Sequence, residues 1–233
     1  MFEAPVRRFC DTYRQHSPGA DHRVWAVLFG QSETPEIEAI FKGMPVDFIR
    51  YDGGGMDIGA AQSCARFLEP DFFTVNFTSR AYFHRPGWLG VLARAREQYG
   101  QGLYGLSSSR EGGRFHICTR GYSLDAGDFA RYPTEIVSRN QGVYFECGEH
   151  SLTEWCREQG LRGYVVTFCG VTNWEWTVAE LTPEVQSFRV GDQSDMLVWD
   201  RHTDIFRDAD LDEKRRLYSL MVGNSLSEAP VTL

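Results

Sequence analysis

The sequence lacks the features of a membrane-spanning or disulfide-stabilised protein. No run approaches the roughly 18 uninterrupted apolar residues of a transmembrane helix, and the N-terminal segment MFEAPVRRFCDTYRQ has no apolar stretch of the signal-peptide kind. The six cysteines form no CxxC pair and have no zinc-type spacing to the six histidines. We therefore expect a soluble, cytoplasmic protein whose cysteines are mostly buried thiols.

Positive charge is also scarce, with 24 basic against 32 acidic residues and a formal net charge of −8. This balance disfavours large non-specific contacts with nucleic-acid phosphates, but it leaves room for a local basic groove because net charge does not describe distribution. The 233 residues, of which 42% are hydrophobic and 24% charged, suit one large globular domain with a core.

Apolar runs alternate with helical patterns along the first half of the chain. RVWAVLFG, PVDFIR and DFFTVNF predict strands, and SETPEIEAIFKG, MDIGAAQSCARFLEP and PGWLGVLARAREQYG predict helices, the first of them capped by Ser32 or Thr34. This alternation predicts βαβ units and a parallel sheet. Ligands of such sheets bind beyond the carboxyl ends of the strands, so residues 31–33, 52–57 and 76–80 are expected around one crevice.

The second half has shorter strand patterns, in GLYGLSSS, RFHICTRGYSL and GYVVTFCGV, with helices predicted at 149–159 and 208–222. The turn RYDGGGMD is the first candidate site. Its aspartate could face a ribose or base while the bare glycine backbone approaches the ligand. A plain tight turn is the alternative, because the spacing is not G-x-G-x-x-G.

DGGGMDIGAAQ, followed by VNFTSRAYFHRPGWL, resembles a bacterial and viral group of GT-A glycosyltransferases. In that group a D-x-G-x-D-I-G-A turn precedes a strand ending in N-x-x-S-R and a G-W-L helix. The blocks GLYGLSSS, RFHICTRGYSL, FECGEHSLTEWCREQGL and GDQSDMLVWDRHTDIF continue the same order, so the resemblance spans residues 24–223. It implies an α/β, Rossmann-like GT-A fold with a mostly parallel central sheet, flanking helices and a mixed acceptor-side part.

The resemblance also divides the single domain 1–233 into a nucleotide-sugar-binding half at about 23–105, an acceptor and catalytic half at 106–207, and a C-terminal helix and tail at 208–233. The donor-binding residues that it implies are Asp52, for the nucleoside, with Gly54, Asp57, Asn76, Ser79 and Arg80.

The segment NFTSRAYF occupies the place where most GT-A enzymes carry a metal-binding D-x-D, yet it contains no carboxylate. Arg80 is therefore expected to neutralise the donor diphosphate directly, the alternative being a surface arginine near a strand end. We expect weak or absent metal dependence. Mn²⁺ or Mg²⁺ is kept as a candidate cofactor, with His202 as its candidate ligand.

FECGEHSLTEWCREQGL resembles the helix whose carboxylate deprotonates the acceptor, which places Glu149 as the general base, with Glu146 and His150 as neighbouring alternatives. Glu149 could instead complement the helix dipole. His116 is a donor or acceptor contact, or a structural strand histidine. Further donor or acceptor contacts are implied at His150, Asp192, Gln193 and Trp174, whose segment NWEW could stack on a sugar ring. For Trp88 we expect core packing.

The sequence thus predicts a hexosyltransferase that uses an NDP-sugar, UDP-sugar being favoured, and a hydroxyl acceptor. The acceptor would be a glycan in surface-polysaccharide synthesis or a phage-type hydroxymethylated DNA base, for which an arginine-rich groove would come from Arg110, Arg114, Arg120, Arg131 and Arg139. A non-catalytic nucleotide-sugar-binding or assembly module is the alternative, favoured by the missing D-x-D. The sugar, the acceptor, inversion or retention, and the oligomeric state are left open.

Overall fold

A computed structural model describes residues 3–30, 34–110, 114–174 and 193–222. The strands are β1 Val24–Leu28, β2 Val46–Arg50, β3 Phe73–Phe77, β4 Gly102–Gly105, β5 Ser108–Ser109, β6 His116–Ile117, β7 Gly121–Asp125, β8 Arg162–Thr167 and β9 Gly170–Trp174. The helices are α1 Glu3–Gln15, α2 Pro35–Ile40, α3 Met56–Ala65, α4 Trp88–Tyr99, α5 Ala126–Ala130, α6 Arg139–Cys147, α7 Leu152–Glu158, α8 Arg201–Asp208 and α9 Leu211–Val222.

The first half begins as the sequence predicts. Strands β1 and β2 pair in parallel, from Val24 opposite Val46 to Leu28 opposite Arg50. Helix α2 between them is capped by Thr34, whose Oγ1 accepts a hydrogen bond from the backbone N–H of Ile37, and Pro35 opens the helix. A proline suits this position because its missing N–H would have no partner there.

Strand β3 differs from the prediction of a continuous parallel sheet. It pairs antiparallel with β7, Phe73 opposite Asp125 and Phe77 opposite Gly121. The five-stranded sheet has the order β3-β7-β4-β8-β9, in which β4 and β8 are parallel to one another and β7 and β9 run the opposite way. The fold is therefore mixed α/β with a parallel component, and the central sheet is less parallel than expected.

Two hydrophobic clusters cover the two faces of this sheet. On one face Leu103 of β4 packs with residues of β7, α5, α6 and α7. On the other, Tyr104 stacks on Tyr164 with ring centroids 4.7 Å apart and packs with α4, where Trp88 is 3% exposed, as expected of a core residue. Adjacent residues of a strand point to opposite faces, which is why β4 serves both clusters.

Helix α1 is joined to the far end of the chain. Its residues Val6 and Cys10 are buried against Ile37 and Ile40 of α2. On its other side, Arg8 Nη1 donates to Asp204 Oδ2 of α8 at 2.6 Å, and the Tyr82 hydroxyl donates to the same carboxylate. Because these groups are only partly buried, the contacts are worth less than a fully desolvated pair.

The six cysteines all lie in the described residues and form no disulfide. Cys10, Cys118 and Cys156 are buried, whereas Cys169 is exposed. In the part of the chain that the structure describes, no helix combines the length and the apolar character needed to cross a bilayer.

Candidate functional site

The glycine turn after β2 is packed against protein. A Cβ added to Gly54 would lie 2.0 Å from the carbonyl oxygen of Val137, and one added to Gly55 would lie 2.0 Å from that of Ile136. Gly55 also has a φ of 78°, which L side chains rarely adopt. The bare backbone of this turn is thus explained by its approach to the 136–137 segment, while Asp52 is exposed beside it.

Asp57 and Arg80 interact electrostatically from two different elements. Asp57 lies in the first turn of α3, and burial raises the pKa of its carboxyl group; the backbone N–H groups of Asp57 and Ile58 and the charge of Arg80 act in the opposite direction. Arg80 follows β3 and is exposed. Within residues 3–30, 34–110, 114–174 and 193–222, its guanidinium group forms no ion pair.

Asn76 and Ser79, the other residues of the N-x-x-S-R pattern, are placed differently. Asn76 lies within β3 opposite Tyr122, and its amide donates to Thr74 Oγ1 at 3.3 Å and to the Tyr122 carbonyl at 3.5 Å. These contacts hold the amide within the sheet. Ser79 is exposed at the turn that precedes Arg80.

A second group of polar side chains lies nearby and was not predicted as a unit. Ligand atoms of His116, Cys118 and Glu146 all lie within 4.8 Å of one another. His116 and Cys118 are each 3% exposed, and Glu146 is half-buried at the end of α6. The charge of Glu146 also acts to raise the pKa of Asp57.

Hydrogen bonds orient two members of the cluster. His116 Nδ1 is 2.9 Å from the carbonyl oxygen of Arg114 and must carry its proton there, which leaves Nε2 for Cys118. Glu146 Oε1 accepts a hydrogen bond of 2.9 Å from the backbone N–H of Thr119. Backbone groups outside the cluster therefore orient the side chains of His116 and Glu146.

The thiol and the imidazole change each other's pKa. Burial acts to raise the pKa of Cys118, but the hydrogen bond with His116 and the charge of Arg120 outweigh it, so the pKa is lowered. Burial acts to lower the pKa of His116, but the hydrogen bond and charge of Cys118 raise it. Each group therefore stabilises the charged form of the other.

Arg120 and Tyr122 complete the surroundings. Arg120 Nη2 is 3.8 Å from Cys118 Sγ, and Nη1 is 3.5 Å from Asp200 Oδ1, next to a small cavity lined in part by Arg120 and Asp200. Tyr122 is 2% exposed. Its hydroxyl has no hydrogen-bond partner among the described residues, and burial raises its pKa, as do the charges of Asp57 and Glu146.

Glu149 does not begin a helix. The predicted helix at 149–159 starts at Leu152, because Ser151 is its N-cap and accepts a hydrogen bond from the Glu154 N–H. Glu149 and His150 lie exposed in the preceding turn, where the His150 carbonyl accepts a hydrogen bond from the Tyr132 hydroxyl. Glu149 is therefore not in the first turn of α7, where it would have complemented the helix dipole.

The remaining predicted contacts are spread over the C-terminal part. His202 is exposed on α8, and its backbone N–H donates to Asp200. Gln193 is buried, and its carbonyl accepts a hydrogen bond from Trp199 Nε1 at 2.8 Å. Trp174 ends β9, but its side chain lies outside the described structure, as do Asp192 and residues 31–33 of the expected crevice.

The arginine-rich stretches do not supply five available cations. Arg120 is paired with Asp200, and Arg131 with the buried Asp128. Both charges are therefore offset within the protein.

Comparisons with known proteins add one partial likeness. No protein-family model matches the sequence, and no curated protein matches it. Among solved structures, HddC from Yersinia pseudotuberculosis, crystallised in complex with GMP-PN, matches 57% of this chain and 68% of its own at 15% identity and a TM-score of 0.39.

Proposed function

We propose that this chain is a glycosyltransferase of GT-A type that binds a nucleotide-sugar with residues of the glycine turn after β2 and of the end of β3. The observation that carries the proposal is the exposed Arg80 at the end of β3, whose charge also acts on the carboxyl group of Asp57. An exposed guanidinium group without an ion-pair partner in the described part of the chain is available to a ligand, and its fork matches the oxygens of a diphosphate.

Asp57 and Arg80 would have different roles in donor binding. Asp57 accepts hydrogen bonds from backbone N–H groups at the start of α3, and the charge of Arg80 acts on it. Arg80 would then meet the diphosphate, and the exposed Asp52 would contact the nucleoside. The position of Asn76, whose amide is engaged within the sheet, supports a structural contribution by that residue.

Glu149 is the general base in this proposal. It is exposed, and among the described residues its carboxylate has neither a hydrogen bond nor an ion pair, so an acceptor hydroxyl can reach it. Glu146 is less suited because Oε1 already accepts the Thr119 N–H. A base so placed would support a single displacement at the anomeric carbon with inversion of the configuration.

Donor binding is tested by calorimetry of UDP and UDP-sugars with Arg80→Ala. A hydrogen bond to a charged group is worth about 1.5–3 kcal/mol, so affinity should fall about tenfold or more. Arg94→Ala is the matched control, since Arg94 is an exposed arginine on α4. Equal affinities for wild type and Arg80→Ala would remove Arg80 from the site.

Catalysis is tested by release of the nucleoside diphosphate from UDP-sugars in the presence of hydroxyl acceptors. Glu149→Gln should lower kcat by about 10²–10⁴-fold while donor affinity stays within a few-fold. Glu146→Gln and His150→Ala are the comparison variants. Full activity of Glu149→Gln with loss in one of the others would move the base to that neighbour.

A non-catalytic nucleotide-sugar-binding module is the second candidate. It is favoured by NFTSRAYF, which has no carboxylate to hold the usual metal. Tight UDP-sugar binding that needs Arg80, together with no turnover for any acceptor, would favour this module over the enzyme.

A further inference from the structure

The His116, Cys118 and Glu146 cluster combines three different ligand types at one point of the fold. His116 comes from β6, Cys118 from the turn after it, and Glu146 from the last turn of α6. An imidazole, a thiolate and a carboxylate together are a set that suits Zn²⁺, whereas Mg²⁺ and Ca²⁺ prefer oxygen ligands alone.

We propose that His116, Cys118 and Glu146 form a binding site for one thiophilic divalent cation, best matched by Zn²⁺, with a fourth position for water or a ligand. The inference goes beyond the proposed glycosyl transfer and does not depend on it. It also differs from the metal expected from the sequence, which was Mn²⁺ or Mg²⁺ with His202 as its ligand.

The geometry is close to what such an ion requires. Tetrahedral zinc with bonds of about 2.0–2.3 Å brings its ligand atoms to about 3.3–3.7 Å from one another. The three ligand atoms lie within 4.8 Å of one another, so a contraction on the order of 1 Å completes the site.

The groups around the cluster are those that support metal ligands. Zinc-binding histidines donate their second ring N–H to a carbonyl or carboxylate. Nδ1 of His116 makes this contact with the Arg114 carbonyl at 2.9 Å, which leaves Nε2 for the ion. Glu146 is likewise held through Oε1 by the Thr119 N–H, which leaves Oε2.

The charges of the site also balance. The Cys118 thiolate and the Glu146 carboxylate together neutralise a divalent cation. Arg120, with Nη2 3.8 Å from Cys118 Sγ, is offset by Asp200. The charge of Glu146 acts to raise the pKa of Asp57, and the charge of Arg80 acts to lower it.

Tyr122 is an independent sign that a polar group belongs here. Its hydroxyl is buried and has no hydrogen-bond partner within the described residues, although it lies near Asp57 and Glu146. Such a group is costly unless a water or an ion satisfies it. A water on the fourth position of the metal would be a suitable partner.

The test uses tag-free full-length protein titrated with Zn²⁺ and with Co²⁺. We expect one equivalent of Zn²⁺, measured by competition with a chromophoric chelator, and a near-ultraviolet thiolate-to-cobalt charge-transfer band. Cys118→Ser should remove the band and weaken Zn²⁺ binding more than about 100-fold, beyond the 10–100-fold loss usual for an outer-shell partner. Cys147→Ser, next to Glu146 but outside the cluster, should leave both unchanged.

Two further measurements keep the result decisive if Cys118→Ser does not fold. Glu146→Gln should retain the thiolate band but bind Zn²⁺ more weakly, and Zn²⁺ should protect Cys118 from alkylation in the wild type. No thiolate band in the wild type, a band that persists without Cys118, or alkylation of Cys118 that is equal with and without Zn²⁺ would overturn the metal site. The last result would identify a metal-free thiolate–imidazolium pair.

Discussion

Substitution of Gly55 and of Gly43 by alanine distinguishes two reasons for a glycine in the turn after β2: a backbone conformation that other residues rarely adopt, and close packing against a neighbouring segment. Gly55 has a φ of 78° and would place a Cβ 2.0 Å from the Ile136 carbonyl oxygen. Gly43 has a φ of 84°, but a Cβ there would have nothing within 4 Å. Gly43→Ala therefore carries the conformational cost alone, and Gly55→Ala carries the same cost plus the contact.

The expected magnitudes follow from these two contributions. A left-handed conformation costs an alanine about 1–2 kcal/mol. Relief of the overlap must shift the backbone of the 136–137 segment, since a carbonyl oxygen is not the end of a flexible side chain, and overpacking of this kind costs about 1–3 kcal/mol. Gly43→Ala should thus lose about 1–2 kcal/mol and Gly55→Ala about 2–5 kcal/mol.

Thermal unfolding followed by circular dichroism measures the difference. For a chain of this size about 1 kcal/mol corresponds to roughly 2–4 °C in Tm, so Gly55→Ala should unfold several degrees below Gly43→Ala. Equal Tm values would refute the packing explanation of the turn. A Gly55→Ala variant with normal Tm but no UDP binding would assign the bare backbone to the ligand instead.

Two further predictions concern ion pairs that hold the fold. Asp204→Asn should lower the free energy of unfolding at pH 7 by about 1–3 kcal/mol. Burial acts to raise the pKa of Asp204, but its hydrogen bonds with Arg8 and Tyr82 lower it, so its contribution to stability is present above the unfolded pKa and is lost as pH falls through the folded pKa. Urea unfolding should therefore give free energies of unfolding for wild type and Asp204→Asn that differ at pH 7 and converge in acid. A difference that stays constant with pH would contradict this. Arg96→Ala should cost about 3–5 kcal/mol, because it leaves the buried Asp125 without its two-point partner at 3.0 and 2.6 Å. Arg94→Ala on the same helix should change stability by less than about 0.5 kcal/mol in the same assay, and equal losses would count against the ion pair.

Much of the local structure was predictable because its causes are local. Thr34 and Pro35 mark the start of α2, and the parallel β1–β2 pair follows from the strand–helix–strand alternation. The antiparallel pairing of β3 with β7 was not predictable, because hydrophobic periodicity indicates a strand but does not choose its partner. Ser151 could have corrected the start of α7, since a serine followed after three residues by Glu154 is an N-cap pattern.

In the candidate site, too, features that depend on contacts between distant segments were the ones that the sequence did not predict. The charge of Arg80 acts on Asp57, but the convergence of these residues in one crevice and the roles assigned to them stay predictions. The His116, Cys118 and Glu146 cluster was missed because spacing rules look for ligands that are close in sequence. Here the third ligand, Glu146, comes from helix α6, far along the chain from the other two. The alternation His-x-Cys, which would place two side chains on one face of an extended segment, was its one local signal.

The contact of Arg8 with Asp204 has a consequence for the order in which the protein can fold during synthesis. The two residues are separated by 196 positions, and Nη1 and Nη2 of Arg8 donate to the two oxygens of the same carboxylate, at 2.6 and 3.3 Å. At about 5–20 residues per second, a ribosome needs roughly 10–40 s to make the intervening chain. During that interval the partner of Arg8 does not yet exist, so α1 can pack on α2 before α8 has been made, whereas its contact with α8 forms only after α8 emerges.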